Sequence, residues 1–281
     1  MIKNYHSSEE LADLLIHSSE HKVNQSYFKV ALLGIMAGAF ISLGAEASSA
    51  ASYSIESTGL AKTLAGVIFP IGLMMITLVG GQLFTSSCMN VTAAFDKKIK
   101  WSNMAINLVI VYITNYIGAF LIAYSINSCG ELNYSTGALG AYTIKIAAAK
   151  LSLDFNTGIV SGILCNILVC LAVLMAATAK DIIGKIFAIF FPIFLFIISG
   201  FEHSVANMYY IPAGIMAATN PAYVQKAIEI YHVSPQQIEQ FSYQNMLINN
   251  LLPVTIGNFI GGAVLISGFV YLINKTKYFN K

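Results

Sequence analysis

Arginine is absent from this chain: all fifteen cations among its 281 residues are lysines. Charge of either sign is scarce. Charged residues make up 10% of the total, where a soluble domain carries about a quarter. Hydrophobic residues reach 57% and mean hydropathy is +0.70, which excludes an ordinary soluble domain and implies a chain that crosses a membrane several times. The formal net charge of +2, with no basic run interleaved with aromatics, offers nothing to nucleic acid. Cysteine is sparse as well. Cys88, Cys129, Cys165 and Cys170 have no metal-like spacing, and three of them fall in or beside apolar runs. They are expected to be small buried residues, with no disulfide framework, no metal and no cofactor. The first 28 residues are polar and lack an apolar leader core, so no cleavable signal peptide is expected.

What is present is a series of apolar segments, each near the ~20 residues that a span requires. They fall at about 29–50, 61–95, 104–126, 155–178, 186–218 and 247–273. The second and fifth are too long for one straight helix and carry interruptions. In the second, Gly80-Gly81-Gln82 breaks the run and Leu83-Phe84-Thr85-Ser86-Ser87 leads into a shorter piece. In the fifth, the break is Ser199 to Asn207, with Gly200, Glu202 and His203 inside it. Helix, broken helix, helix therefore occurs twice. A repeat with an odd number of spans places its second copy upside down, and matched breaks in inverted halves point to a central transport site. The expected fold is an all-α membrane protein of six spans in two inverted three-helix repeats. A channel unit over 29–273 is expected between an N-terminal segment, 1–28, and a tail, 274–281. Pro70, Pro192 and Pro253 lie inside spans and are expected to kink them.

The N-terminal segment opens with Ser7-Ser8-Glu9-Glu10, a capping box in which Ser7 caps and Glu10 reaches back. Leu11, Leu14 and Leu15 then form one apolar stripe, so a short helix is expected on the membrane surface or over the mouth of the spans. His17 and His21 are read as solvated. Lysine placement sets the orientation: eleven sit in the termini and the loops near 96–100 and 180–185, and four (Lys62, Lys145, Lys150, Lys226) in the alternate loops. By the positive-inside tendency both termini are cytoplasmic, in a cell (inner or plasma) membrane.

An ionisable residue at membrane depth is a functional-site hypothesis by default. Glu202 is the only acid read as lying deep in a span. The helix piece after each break offers unpaired N–H groups and the positive end of a dipole. Thr85, Ser86 and Ser87 are candidate caps or donors at one such end, and Ser199 and Ser204 flank the other. Two such ends with His203 between them suit a small monovalent anion, hydrogen-bonded or briefly protonated. Neighbours along a helix face different ways, so no ion pair between Glu202 and His203 is expected. Glu202 is expected to hold the break in shape, accepting from backbone N–H groups or from an amide such as Asn166. The bland alternatives stay open at this point: His203 as a packing donor, Thr85 as a packing hydroxyl, and Lys150 as a solvated loop lysine. Phe69, Phe84 and Phe196 stand equally as core- or lipid-facing rings.

Three stretches resemble the formate–nitrite transporter family: Leu83-Phe84-Thr85-Ser86, Gly200-Phe201-Glu202-His203-Ser204-Val205-Ala206-Asn207-Met208, and Leu252-Pro253-Val254-Thr255-Ile256-Gly257-Asn258. The resemblance runs from about residue 5 over essentially the whole chain. It implies an aquaporin-like protomer in a homopentamer, with one anion pore per protomer. His203 resembles the family's central pore histidine and Thr85 its hydroxyl partner. Leu73, Leu83 and Phe84 resemble one hydrophobic constriction, Phe69 and Phe196 the other, and Val169 a pore-wall position. Lys150 resembles the basic residue that draws anions inward, and Asn166 with Glu202 a supporting pair. The N-terminal segment resembles a gating element. The implied substrate is formate, with nitrite, hydrosulfide or acetate as alternatives, together with protons. The first half departs from the family's pattern at Gly44-Ala45-Glu46-Ala47-Ser48-Ser49. The rival reading, an intramembrane enzyme, lacks a second carboxylate, a metal set or a nucleophile with a base.

Overall fold

A computed structural model describes residues 5–275; Lys3, Lys277, Lys281 and most of the expected tail lie outside the described residues. The chain folds into helices. Helix α1 (Ser8–Val23) opens on the expected capping box: Ser7 Oγ accepts from Glu10 N–H at 3.3 Å, and Glu10 Oε2 accepts from Ser7 N–H at 2.8 Å. Its side chains Leu11 and Leu15 pack on buried Met89, Cys170 and Leu174, so the apolar stripe is spent on the ends of the spans.

Among the described residues, six helical segments are long and apolar enough to cross a membrane. The first is α2 (Tyr27–Ser52). The second joins α3 (Thr58–Ile68) and α4 (Ile71–Val79) across Phe69-Pro70, where the missing proline N–H allows the bend. It ends at Gly80, whose φ of 110° only glycine adopts readily. After the break come α5 (Phe84–Ser87), a 3-10 turn and α6 (Val91–Phe95). The third span is α7 (Trp101–Ser128).

The stretch before the fourth span differs from the loop expected there. It forms α8 (Tyr134–Leu151), a helix packed against α11 and α12, and Lys150 sits in its last turn. Its apolar positions are interleaved with small residues, which kept its hydropathy below that of a span. Then follow α9 (Phe155–Thr178), the fourth span at the expected bounds, and α10 (Ile182–Ser199). Gly200 at φ 72° ends α10, and α11 (Ser204–Ala217) continues beyond the second break. Surface helices α12 (Pro221–Tyr231) and α13 (Pro235–Glu239) lead to the last span. That span runs through α14 (Tyr243–Asn245), α15 (Leu252–Phe259) and α16 (Ser267–Lys275), with π-helical turns between them.

Glycine sets how closely these rods approach. A Cβ on Gly38 would lie 2.0 Å from the Asn115 carbonyl oxygen, and one on Gly257 would lie 2.2 Å from that of Ile159. The pairs α2–α7 and α9–α15 thus meet backbone to backbone, as small residues permit inside membranes.

Candidate functional site

Both breaks converge on one contact. His203 caps α11, its Nδ1 accepting from Ala206 N–H at 3.0 Å, while Nε2 lies 3.0 Å from Thr85 Oγ1 on the other broken helix. Because Nδ1 receives an N–H, the neutral ring carries its proton on Nε2 and donates it to Thr85. The threonine hydroxyl hydrogen is left free to turn elsewhere. Both residues are buried.

The first turns of the two short pieces are held in the same way. In one half, Asn115 of α7 accepts from Phe84 N–H (2.8 Å) and donates to Gly34 O (2.8 Å) and Gln82 O (2.9 Å). In the other, Asn258 of α15 accepts from Ser204 N–H (2.9 Å) and donates to Gly162 O (2.8 Å) and Glu202 O (3.0 Å). The inverted repeat, faint in sequence, is thus explicit in its hydrogen bonds. Of the two expectations for Thr85, Ser86 and Ser87, caps or hydroxyl donors, it sets aside the first. No side chain from the piece itself caps α5; Ser86 Oγ donates back to Leu83 O at 3.1 Å. One N–H group at each break is thus taken by an asparagine side chain.

Glu202 and Asn166 do not form a pair. Asn166 Nδ2 donates to Thr85 O (3.1 Å) and Asn258 O (2.5 Å), fastening one break to the last span. Glu202 does not accept from backbone N–H either. Its carboxylate takes Lys150 Nζ at 2.6 Å and Asn207 Nδ2 at 2.7 Å, and Asn207 in turn donates to Asn250 at 2.8 Å. The amide that Glu202 needs therefore comes from Asn207, in the first turn of the helix that follows the break. Lys150 is no solvated loop lysine: its side chain is 18% exposed, in an ion pair whose carboxylate is 8% exposed.

Phe69 and Phe196 meet edge to face at 5.4 Å, and Phe196 lies over the His203 ring at 6.0 Å. A cavity of about 240 Å³ borders them, lined also by Lys62, Lys150 and Tyr210. Leu73, Leu83 and Phe84 are buried in the same apolar cluster as Phe69 and Phe196, with Phe84 against Tyr112 at 4.9 Å; Val169 of α9 belongs to it as well. Sequence reasoning missed Glu46. It is buried in α2, its Oε2 accepts from the Tyr209 hydroxyl, and its Oε1 has no partner among the described residues. Its place near the end of an apolar run disguised its depth.

With this geometry, likeness to known proteins becomes informative. The family model described as formate/nitrite transporter matches residues 9–272. The chain belongs to the formate/nitrite transporter family. The formate channel FocA of Haemophilus influenzae is 34% identical over 276 residues, covering 95% of this chain and 94% of that protein. FocA of Escherichia coli K12 is 32% identical over 267 residues, covering 94% and 92%. A solved structure described as a pentameric formate channel with formate bound matches with a TM-score of 0.77 at 29% identity, over 89% of this chain and 98% of that one. These formate/nitrite transporter relatives are channels, which sets the enzyme reading aside. Among the described residues no cluster of His, Cys, Asp and Glu could hold a metal.

Proposed function

We propose that this member of the formate/nitrite transporter family is a channel for small monovalent anions, formate foremost, working as a homopentamer with one pore per protomer. The single observation that carries the reading is the Thr85–His203 contact where the two broken helices meet. The relatives described as formate channels, and the solved one described as pentameric with formate bound, support the substrate and the assembly.

A small anion enters from the cavity bordered by Lys150, Phe69 and Phe196. The Lys150–Glu202 pair supplies a field there without a net charge fixed in the membrane. Two apolar constrictions, Phe69 with Phe196 and Leu73 with Leu83 and Phe84, strip water and exclude hydrated cations. Between them the anion accepts hydrogen bonds from Nε2–H of His203 and from the freed Thr85 hydroxyl. The geometry favours donation over full proton transfer. Giving up the Nε2 proton would leave an imidazolate unless Nδ1 gained one, and Nδ1 is engaged by Ala206 N–H.

Lysines of the described residues on the face bearing the termini (Lys22, Lys29, Lys97, Lys98, Lys100, Lys180, Lys185) support a cytoplasmic placement of that face in a cell membrane. Stopped-flow uptake into proteoliposomes tests the reading, with formate, nitrite, hydrosulfide and acetate compared. Formate flux should fall at least about tenfold in His203→Ala, the loss of roughly 1.4 kcal/mol of stabilisation. Equal flux in wild type and variant would end the proposal.

A further inference from the structure

On the face opposite the termini, hollows open in series. The cavity that touches His203 is bordered by Lys62 and Ile197, and both residues also line a second chamber of about 220 Å³ outside it. Lys62 adjoins the break itself: a Cβ built on Gly200 would lie 3.7 Å from its Nζ. A third hollow of about 450 Å³ continues outward and shares Tyr53, Lys145 and Tyr231 with the second.

The second chamber is aromatic and cationic. Lys145 Nζ lies 4.9 Å from the centre of the Tyr142 ring and 5.0 Å from that of Tyr231, and the two rings meet edge to face at 5.6 Å. Their phenol oxygens are already engaged. Tyr231 donates its hydroxyl to Tyr53 O at 2.9 Å, Tyr142 Oη lies 3.3 Å from Ser52 Oγ, and Tyr53 Oη lies 2.7 Å from Ser135 Oγ. The rings are therefore tied in place, and they offer a ligand faces and edges rather than hydroxyls. Ile55, Ala61, Ala65 and Ile197 add an apolar wall. Against two lysines the chamber sets one carboxylate, Glu56, and among the described residues no ion pair includes Lys62, Lys145 or Glu56. An excess of one positive charge remains.

Formate has no use for this apolar surface, whereas a carboxylate carried on a flat ring would cover it. Drug-sized ligands occupy roughly 300–1,000 Å³, so a chamber of about 220 Å³ suits a single ring. Phe69 and Phe196, in contact at 5.4 Å, bar a ring from passing inward. We propose that this outer chamber binds aromatic monocarboxylates, the acid group held by Lys62 and Lys145 and the ring by Tyr142, Tyr231 and the apolar wall. Such a ligand does not permeate. It occupies the lysine that also borders the His203 cavity, and so blocks formate from that face alone. The block rests on the channel reading above; the binding does not.

Isothermal titration of benzoate into the purified protein, above neutral pH where benzoate is ionised, tests the site apart from transport. Saturable binding is expected in wild type. Lys145→Gln should weaken it roughly two- to fivefold, the range for one solvent-screened charge. Tyr231→Leu should weaken it roughly two- to tenfold, the range for one aromatic contact. Tyr231→Phe loses the same hydrogen bond to Tyr53 but keeps the ring, and should bind as wild type does. In proteoliposomes of uniform orientation, benzoate should compete with formate from the face opposite the termini and not from the other. Without benzoate, Lys145→Gln and Tyr231→Leu should carry formate as wild type does. No saturable binding, equal affinity in wild type, Lys145→Gln and Tyr231→Leu, or equal inhibition from both faces overturns the inference. Saturable, ring-dependent binding to a protein that carries no formate would instead defeat the channel reading and leave the site standing. Should Tyr231→Leu fail to fold, Lys145→Gln alone decides, since unchanged affinity there overturns the placement of the acid group.

Discussion

Single side chains set the chemistry of this channel, and the most constrained of them are amides. Asn115 and Asn258 each satisfy three backbone groups at a helix break, away from water. Replacing either by alanine strands those groups, at about 1–3 kcal/mol for each one left unsatisfied. Asn258→Ala is expected to lower the thermal unfolding midpoint of the purified protein sharply, and Asn115→Ala to do the same. A small shift in both would show that the breaks hold without them. Thr85 offers a sharper functional contrast. Thr85→Ser keeps an oxygen for His203 Nε2–H and should retain formate flux, whereas Thr85→Val keeps the shape and should lose most of it. Glu46 behaves differently again. Glu46→Gln preserves an acceptor for Tyr209 and should leave stability nearly unchanged, whereas Glu46→Leu leaves that hydroxyl unpaired, costing about 1–3 kcal/mol.

Elements meet through glycine here, and each break begins at one. Gly200 closes α10 in the left-handed region, where a Cβ costs about 1–2 kcal/mol. Gly38→Ala would drive a methyl into the Asn115 carbonyl and spread α2 from α7. The cost is expected at the upper end of the roughly 1–3 kcal/mol typical of overpacking, and it should exceed that of Gly200→Ala in parallel thermal denaturation. The breaks were legible because Gly80-Gly81-Gln82 and Ser199 to Asn207 interrupt runs too long for one span. Helix α8 was not. Its residues alternate small and apolar without reaching span hydropathy, and its stability comes from packing on α11 and α12 rather than from its own pattern.

Across the whole molecule the deciding feature is charge kept in balance inside an apolar body. Removing one partner of a buried pair leaves the other unpaired and costs about 3–5 kcal/mol. Lys150→Met alone should therefore destabilise the protein more than Lys150→Met with Glu202→Gln, by thermal unfolding. Formate flux should stay low in both, because the field at the far mouth is gone in each. Recovery of flux in the double variant would show that Lys150 serves only to neutralise Glu202.

Composition and segment order alone dictated six spans, two breaks and the burial of His203, because the cost of polar groups in lipid leaves a chain this apolar few ways to fold. Residue types marked His203 as a candidate at the break, while its pairing with Thr85 was implied only by the resemblance to the family. Partners were another matter. That Glu202 takes Lys150 and Asn207 rather than Asn166, and that asparagines from the third and sixth spans cap the breaks, are decided by which helices lie side by side. A hydrogen bond depends on distances of a few tenths of an ångström between residues far apart in the chain, and no local pattern carries that information.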